Sequence, residues 1–257
     1  MSQENTRKHI EKVVSQFTKQ AIPFAELSIH LGAMELLVEM SEVNNKDEVL
    51  DVACGPGLVA CEFARHASHV TGIDITEAMI DQAREKGRGN NLSNVSWKIT
   101  NAVPLPFDND SFSLVITRYS FHHFLEPEKA LEEMIRVCKP GGRVLVADVC
   151  VKDEHSTKYD RMEKIRDDSH VHALTESEFT EMLQLSGLTD IKRSGYGLDT
   201  EVKSLLSASS HTPSDSEEVL NMITTDIGVD NLGINARYEG EQLMFTFPIA
   251  VFTGKKE

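Results

Sequence analysis

From residue 47 onward, short apolar runs alternate with longer amphipathic stretches. The runs 48–53, 69–74, 95–100, 112–118 and 143–150 have the length and β-branched content of strands, and helix-forming segments fill the gaps. After Pro127, Leu131, Met134, Ile135 and Cys138 recur at helical spacing and predict one buried helix face. Further strands are expected at 188–196 and 243–252, the latter carrying Pro248, which cannot donate to a ladder and so points to an edge or a bulge. Strands alternating with helices demand right-handed crossovers. The pattern therefore predicts an α/β fold: a doubly wound, mostly parallel sheet of seven strands with helical cap elements.

Three stretches break the rhythm. Residues 151–174 are charged and rich in His and Asp, too polar for a core strand. Order resumes at Thr175-Glu176-Ser177-Glu178, a capping box opening a helix that stops at Gly187. Residues 199–240 are polar and helix-prone, with little apolar surface, and read as an insertion over one end of the sheet. In the first 46 residues Phe17, Ala21, Phe24 and Leu31 share a rough helical face interrupted at Pro23. The expected organisation is a helical cap over 1–46 and one domain over 47–257, with cap segments at 151–174 and 199–240.

Charge narrows the partners. The formal net charge is −15, with 41 acidic against 26 basic side chains. Binding nucleic acid or an anionic membrane needs clustered Lys and Arg, so neither partner is expected. No apolar run approaches the roughly 20 residues of a spanning helix, and Met1–Lys8 has no apolar stretch behind it, so a cytoplasmic location is expected. Cys54, Cys61, Cys138 and Cys150 form no CxxC pair and read as reduced, buried thiols rather than a zinc site. Nothing in the pattern sets an oligomeric state.

Candidate chemistry gathers at Val49-Leu50-Asp51-Val52-Ala53-Cys54-Gly55-Pro56-Gly57, with Asp74 ending the next strand. An apolar strand running into a glycine turn and a helix is the layout of a nucleotide-shaped cofactor site. NAD proteins share that turn, which keeps an NAD-dependent oxidoreductase open. Asp51 argues against it, because a carboxylate beside a pyrophosphate is costly whereas a cationic ligand would welcome it.

With Leu105-Pro106-Phe107, Phe112-Ser113-Leu114-Val115 and Arg136-Val137-Cys138-Lys139-Pro140-Gly141-Gly142 in order behind Asp51-x-x-x-Gly55-x-Gly57 and Asp74, the stretch 47–150 resembles the class I S-adenosylmethionine-dependent methyltransferases. It is most similar to their ubiquinone/menaquinone C-methyltransferase-like branch. The resemblance implies a Rossmann-like fold, S-adenosyl-L-methionine as cofactor and S-adenosyl-L-homocysteine as product. It implies a cofactor site of Asp51, Ala53, Gly55, Gly57, Asp74, Ile75, Met79, Asn101, Ala102, Thr117 and Arg118; no metal is expected, because His170-x-His172 lacks further ligands at fixed spacing. In those roles Asp74 accepts from the ribose hydroxyls, while Ile75 and Met79 press the adenine. Gly55 and Gly57 let backbone approach the methionine arm, and Asp51 attracts its ammonium. Asn101-Ala102 stands where the family usually has Asp-Ala; the Asn carbonyl can still accept from the adenine amine.

Methyl transfer from a sulfonium is an in-line displacement that mainly needs alignment and exclusion of water. A base is required only if the acceptor must lose a proton. The fourth strand ends at Thr117-Arg118-Tyr119-Ser120-Phe121-His122-His123, so these residues are expected around sulfonium and acceptor. His122 and His123 are the base candidates, by intrinsic pKa; Tyr119 is a candidate donor to the substrate. Tyr159, Arg161, Arg166, His170 and His172 are acceptor-side candidates. No Asn/Asp-Pro-Pro-Tyr/Phe signature follows the fourth strand, which agrees with a small-molecule acceptor. The same cofactor residues would also serve a protein that binds S-adenosylmethionine without methylating.

Overall fold

The alternating runs form one sheet in a computed structural model that describes residues 3–26, 33–209 and 212–257. Its strands are β1 (Glu48–Val52), β2 (His69–Asp74), β3 (Val95–Ile99), β4 (Phe112–Arg118), β5 (Cys138–Val149), β6 (Thr189–Glu201), β7 (Arg237–Glu239) and β8 (Gln242–Lys255). They lie in the order β3-β2-β1-β4-β5-β8-β6, with β7 on β8. β1 to β5 pair in parallel, and β8 runs antiparallel between β5 and β6. This is the predicted doubly wound fold, with short β7 as an eighth strand.

The helices are α1 (Gln3–Glu26), α2 (Met34–Ser41), α3 (Leu58–Phe63), α4 (Glu77–Gly89), α5 (Pro127–Val137), α6 (Ser156–Arg166), α7 (Glu176–Leu185), α8 (Val202–Ala208) and α9 (Pro213–Asp226). Both faces of the central strands are covered, which is why β1 reads as a nearly unbroken apolar run. On one face Leu50, Val115 and Val146 pack against Leu131 and Met134 of α5 and Phe179 of α7. On the other, Val49, Leu114 and Leu145 pack against Leu37 of α2 and Phe63 of α3. Burying a side chain such as Leu50 or Phe63 completely stabilises the fold by about 1.5–3 kcal/mol. The Thr175 capping box forms, and Gly187 stands just past the end of α7 with φ 76°.

Several expectations need correction. Pro248 is neither at an edge nor at a bulge: it lies in interior β8, paired with Gly197 of β6. Its carbonyl accepts from Cys150 N (2.8 Å), just beyond the last β5–β8 pair, Val149↔Ile249. In an antiparallel ladder N and O of one residue face the same neighbour, so the missing donor falls where β5 ends. Pro23 does not interrupt α1, which runs through to Glu26; Leu31 lies outside the described residues. The 199–240 stretch also buries more than its composition promised. Val202, Val219, Ile223 and Ile234 join Tyr159 and Phe245 in a third apolar cluster, and β6 itself extends to Glu201.

Among the described residues no helix is long and apolar enough to cross a membrane. The strand order reverses between β1 and β4, and in such sheets the crevice beyond the strands' carboxyl ends is where ligands bind.

Candidate functional site

A cavity of about 220 Å³ opens at that point. The Ala53–Pro56 loop after β1, Asp74 and Ile75 after β2, Met79 of α4, Asn101 and Ala102 after β3, and Arg118 and Tyr119 ending β4 form one part of its wall. Ile10, Val13 and Phe17 of α1 close it from the opposite side, with Phe124 and Leu125. Of these α1 residues the sequence marked Phe17, within a cap expected over a site; Ile10 and Val13 were not part of the stripe read there.

Asp74 organises the loop. Gly55 N donates to its Oδ2 at 2.9 Å and Thr76 N to its Oδ1 at 2.8 Å. Burial raises its pKa, and these backbone donors oppose the rise. Gly55 has φ +52°, and a Cβ there would meet nothing within 4 Å. Gly57 differs: its φ is +77°, and a Cβ would stand 2.7 Å from the Trp97 ring and 2.9 Å from Ala83 Cβ. Gly57 therefore serves the packing of Trp97 and α4 rather than a ligand's approach, and it is absent from the cavity wall.

Asp51 is 1% exposed, and its Oδ2 has no hydrogen-bond partner. Burial pushes its pKa up to about 8, Asp74's charge adding to the effect and the Ala60 backbone N–H opposing it. The group is sealed beside the wall instead of standing in it; largely protonated near neutral pH, it would be drawn to ionise by a ligand's positive charge acting through space. Thr117 is also withdrawn, its hydroxyl donating to Val52 O at 2.7 Å and tying β4 to β1. Asn101 turns its amide onto Val103, donating to that carbonyl at 2.8 Å.

At the end of β4, Tyr119 has φ +58°, a strained backbone for a non-glycine residue at a cavity wall. Its hydroxyl accepts from Arg118 Nη2 (2.9 Å) and pairs with the Tyr196 hydroxyl (2.7 Å), so protein already engages it. Burial drives its pKa up. The two histidines part company. His122 Nδ1 lies 2.6 Å from Asp148 Oδ1; burial depresses its pKa, but the carboxylate outweighs that and the net shift is upward. It does not line the cavity. His123 does; burial, with charged His122 beside it at 4.1 Å between ring centroids, lowers its pKa to about 3.

The acceptor-side candidates of 151–174 are structural in this arrangement. None lines the cavity. Tyr159 is fully buried, Arg166 pairs with buried Glu163, and exposed Arg161 pairs with Glu218. His170 Nε2 and His172 Nδ1 share the Asp160 carboxylate at 2.7 and 2.6 Å, and His172 Nε2 reaches Glu178 at 2.8 Å. The bond to Asp160 foremost, against desolvation, lifts His172 from 6.5 to about 9. A folded-state pKa above the unfolded one gives stability that is full below about pH 6.5 and lost as pH rises through 9. His172→Gln is expected to cost about 1–2 kcal/mol near pH 6, allowing for solvent screening, and almost nothing near pH 10. Urea midpoints of the two proteins across that range measure it; a gap that does not narrow with pH would contradict the assignment.

The wall fits a nucleoside carrying a cationic amino-acid arm. Asp74 keeps lone pairs for a diol beyond its two backbone donors. Met79 and Ile75 offer apolar surface for a flat ring, and Gly55 leaves open space. The unpartnered Asp51 oxygen is a buried demand for positive charge.

Comparison with known proteins agrees. The family model described as "Methyltransferase domain" matches residues 43–187. Over 228 residues the chain is 27% identical to the uncharacterized methyltransferase YcgJ of Bacillus subtilis (strain 168), covering 86% of this chain and 89% of that one. Over 138 residues it is 36% identical to the ubiquinone/menaquinone biosynthesis C-methyltransferase UbiE of Proteus mirabilis (strain HI4320), covering 51% of this chain and 55% of that protein. The chain thus spans about half the length of this second relative. The crystal structure of YcgJ matches with a TM-score of 0.80 at 23% identity, over 88% of this chain and 98% of that one. Geranyl diphosphate C-methyltransferase from Streptomyces coelicolor A3(2), in complex with Mg2+, geranyl diphosphate and S-adenosyl-L-homocysteine, matches with a TM-score of 0.63 at 14% identity, over 89% of this chain and 79% of that one.

Proposed function

The chain belongs to the methyltransferase-domain family, and on that premise we propose that it transfers the methyl group of S-adenosylmethionine to a small-molecule acceptor by in-line displacement. The observation that carries the acceptor class is the shape of the cavity. The wall around Gly55 and Asp74 continues into an apolar portion under α1, formed by Ile10, Val13, Phe17, Phe124 and Leu125. An apolar wall contributed by a helix suits a small apolar molecule better than a polymer. The net charge of −15 also disfavours nucleic acid. The relatives point the same way: one is named for quinone biosynthesis and another holds geranyl diphosphate.

When bound, S-adenosylmethionine supplies a methyl group on a sulfonium, a leaving group needing no further activation. The chain's own residues then bind, align and keep water out. Asp74 takes the ribose hydroxyls, Ile75, Met79 and Ala102 flank the adenine with Asn101 beside them, and Ala53 and Gly55 give the methionine arm its path. Asp51 and Arg118 set the electrostatics beneath it. Tyr119 and His123 face the acceptor side, while His122, turned to Asp148, supports the turn that carries His123.

Methyl-labelled S-adenosylmethionine tests the acceptor class. Incubation with a panel of small apolar hydroxyl, amine, thiol and enolisable-carbon compounds is expected to place label in material extractable into organic solvent, with release of S-adenosylhomocysteine. Label found only on added RNA or protein would contradict the small-molecule reading.

A further inference from the structure

His123 is held by two residues that follow α6, Asp167 and Ser169. The Ser169 hydroxyl donates to Asp167 Oδ1 at 2.5 Å, so its lone pairs face His123 Nδ1 at 3.1 Å. The Ser169 carbonyl, which can only accept, stands 3.1 Å from the same nitrogen. Both neighbours require Nδ1 to carry the ring proton. Nε2 is left with the lone pair and has no hydrogen-bond partner among the described residues, on a ring that lines the cavity. The ring is braced from the other side by Phe17 of α1, edge-on at 5.0 Å, while His9 Nε2 donates to the His123 carbonyl at 2.7 Å. Ser169 and Asp167 are 0% and 3% exposed, so the support is rigid.

We infer that Asp167 and Ser169 are positioning residues that fix the bare Nε2 of His123 toward the acceptor, and that the acceptor is an apolar molecule whose hydroxyl donates to that nitrogen. The inference rests on the methyl-transfer reading above. An ammonium has no lone pair to attack with and could only donate to Nε2, and burial of the ring disfavours a charged group beside it. A carbon acceptor without a hydroxyl would leave Nε2 unsatisfied, and a thiol would satisfy it only weakly. In the transfer, an oxygen lone pair forms the C–O bond as the S–C bond breaks with its electrons left on sulfur. The O–H electrons stay on oxygen and the proton passes to Nε2. The charge that enters on the sulfonium passes through the imidazole only briefly, because burial and His122 keep its pKa at about 3, and the proton moves on to water.

The test uses the full chain saturated with S-adenosylhomocysteine and labelled with ¹⁵N in its histidine rings, with phenol and toluene as probes. His123 signals are assigned by their loss in His123→Gln. Long-range ¹H–¹⁵N spectra are expected to show the Nδ1–H tautomer, and phenol should shift Nε2 where toluene does not. Ser169→Ala and Asp167→Asn leave the Ser169 carbonyl in place, so Nδ1–H should persist while the ring loses its second anchor and phenol binding weakens about tenfold, leaving S-adenosylhomocysteine affinity unchanged. An Nε2–H tautomer in the unaltered protein, or equal effects of phenol and toluene, would overturn the inference even if both variants failed to fold. Absence of S-adenosylhomocysteine binding would overturn the parent reading and this one with it; binding accompanied by the wrong tautomer would overturn this one alone.

Discussion

Asp74→Ala is expected to weaken S-adenosylhomocysteine binding at least about 100-fold while leaving the protein folded. The carboxylate has two tasks. Inward, it accepts Gly55 N and Thr76 N and so sets the loop over which the ligand's arm must pass. Outward, its remaining lone pairs are placed for the ribose diol. Hydrogen bonds to a charged acceptor are worth about 1.5–3 kcal/mol each, so losing two gives the predicted factor or more. Stability should fall by only about 1–2 kcal/mol, because the freed N–H groups border a cavity that water can enter. Asp74→Asn separates the tasks. Its amide nitrogen must face either Gly55 N or Thr76 N, a donor against a donor, so it should bind nearly as poorly as Asp74→Ala. Calorimetric titration with thermal melts measures both quantities, and near-normal affinity in Asp74→Asn would show that the loop geometry does not depend on both oxygens.

The two loop glycines should fail in opposite ways. Gly57→Ala places a methyl 2.7 Å from the Trp97 ring, at a φ of +77°. That site cannot relax cheaply, because the indole also lies against Gly72, where a Cβ would stand 2.5 Å from it. Overpacking and backbone strain together are expected to cost about 3 kcal/mol or more, or roughly 6–12 °C in Tm for a chain of this size. Trp97 is the only tryptophan, so its fluorescence reports the disturbance directly. Gly55→Ala meets no atom within 4 Å and should lose only about 1–2 kcal/mol to its left-handed backbone. Its methyl enters the space given to the ligand, so S-adenosylhomocysteine affinity should fall by about tenfold or more. Equal losses of stability in the two variants would contradict this division.

The parallel half of the sheet was legible because its strands are buried on both faces, and an apolar run bounded by turns admits few other readings. Asp74 was marked by its place at the end of the second strand; that it also ties Gly55 N and Thr76 N into the loop was not legible. Other features depend on neighbours far along the chain. His122 and His123 are the same residue type on one turn, yet one is paired with Asp148 and the other with Ser169, 26 and 46 positions away. No local pattern separates them. Gly57 was read as a ligand glycine because its spacing fits the motif, whereas its role is set by Trp97, on β3. Polar composition hid the contribution of 199–240, where a few apolar side chains suffice because β8 and α6 complete the cluster. Residues 151–174 were expected on the acceptor side because the segment crosses that end of the sheet, and the charges of Arg161, Arg166, His170 and His172 go to pairs within the protein.

The most direct measurement is a calorimetric titration of the intact protein with S-adenosylhomocysteine, with NAD as the control. The cavity, with Asp74 on its wall and Asp51 sealed beside it, predicts micromolar binding of S-adenosylhomocysteine and no heat from NAD. Binding of NAD without binding of S-adenosylhomocysteine would contradict the methyltransferase account and leave the glycine loop as a dinucleotide site.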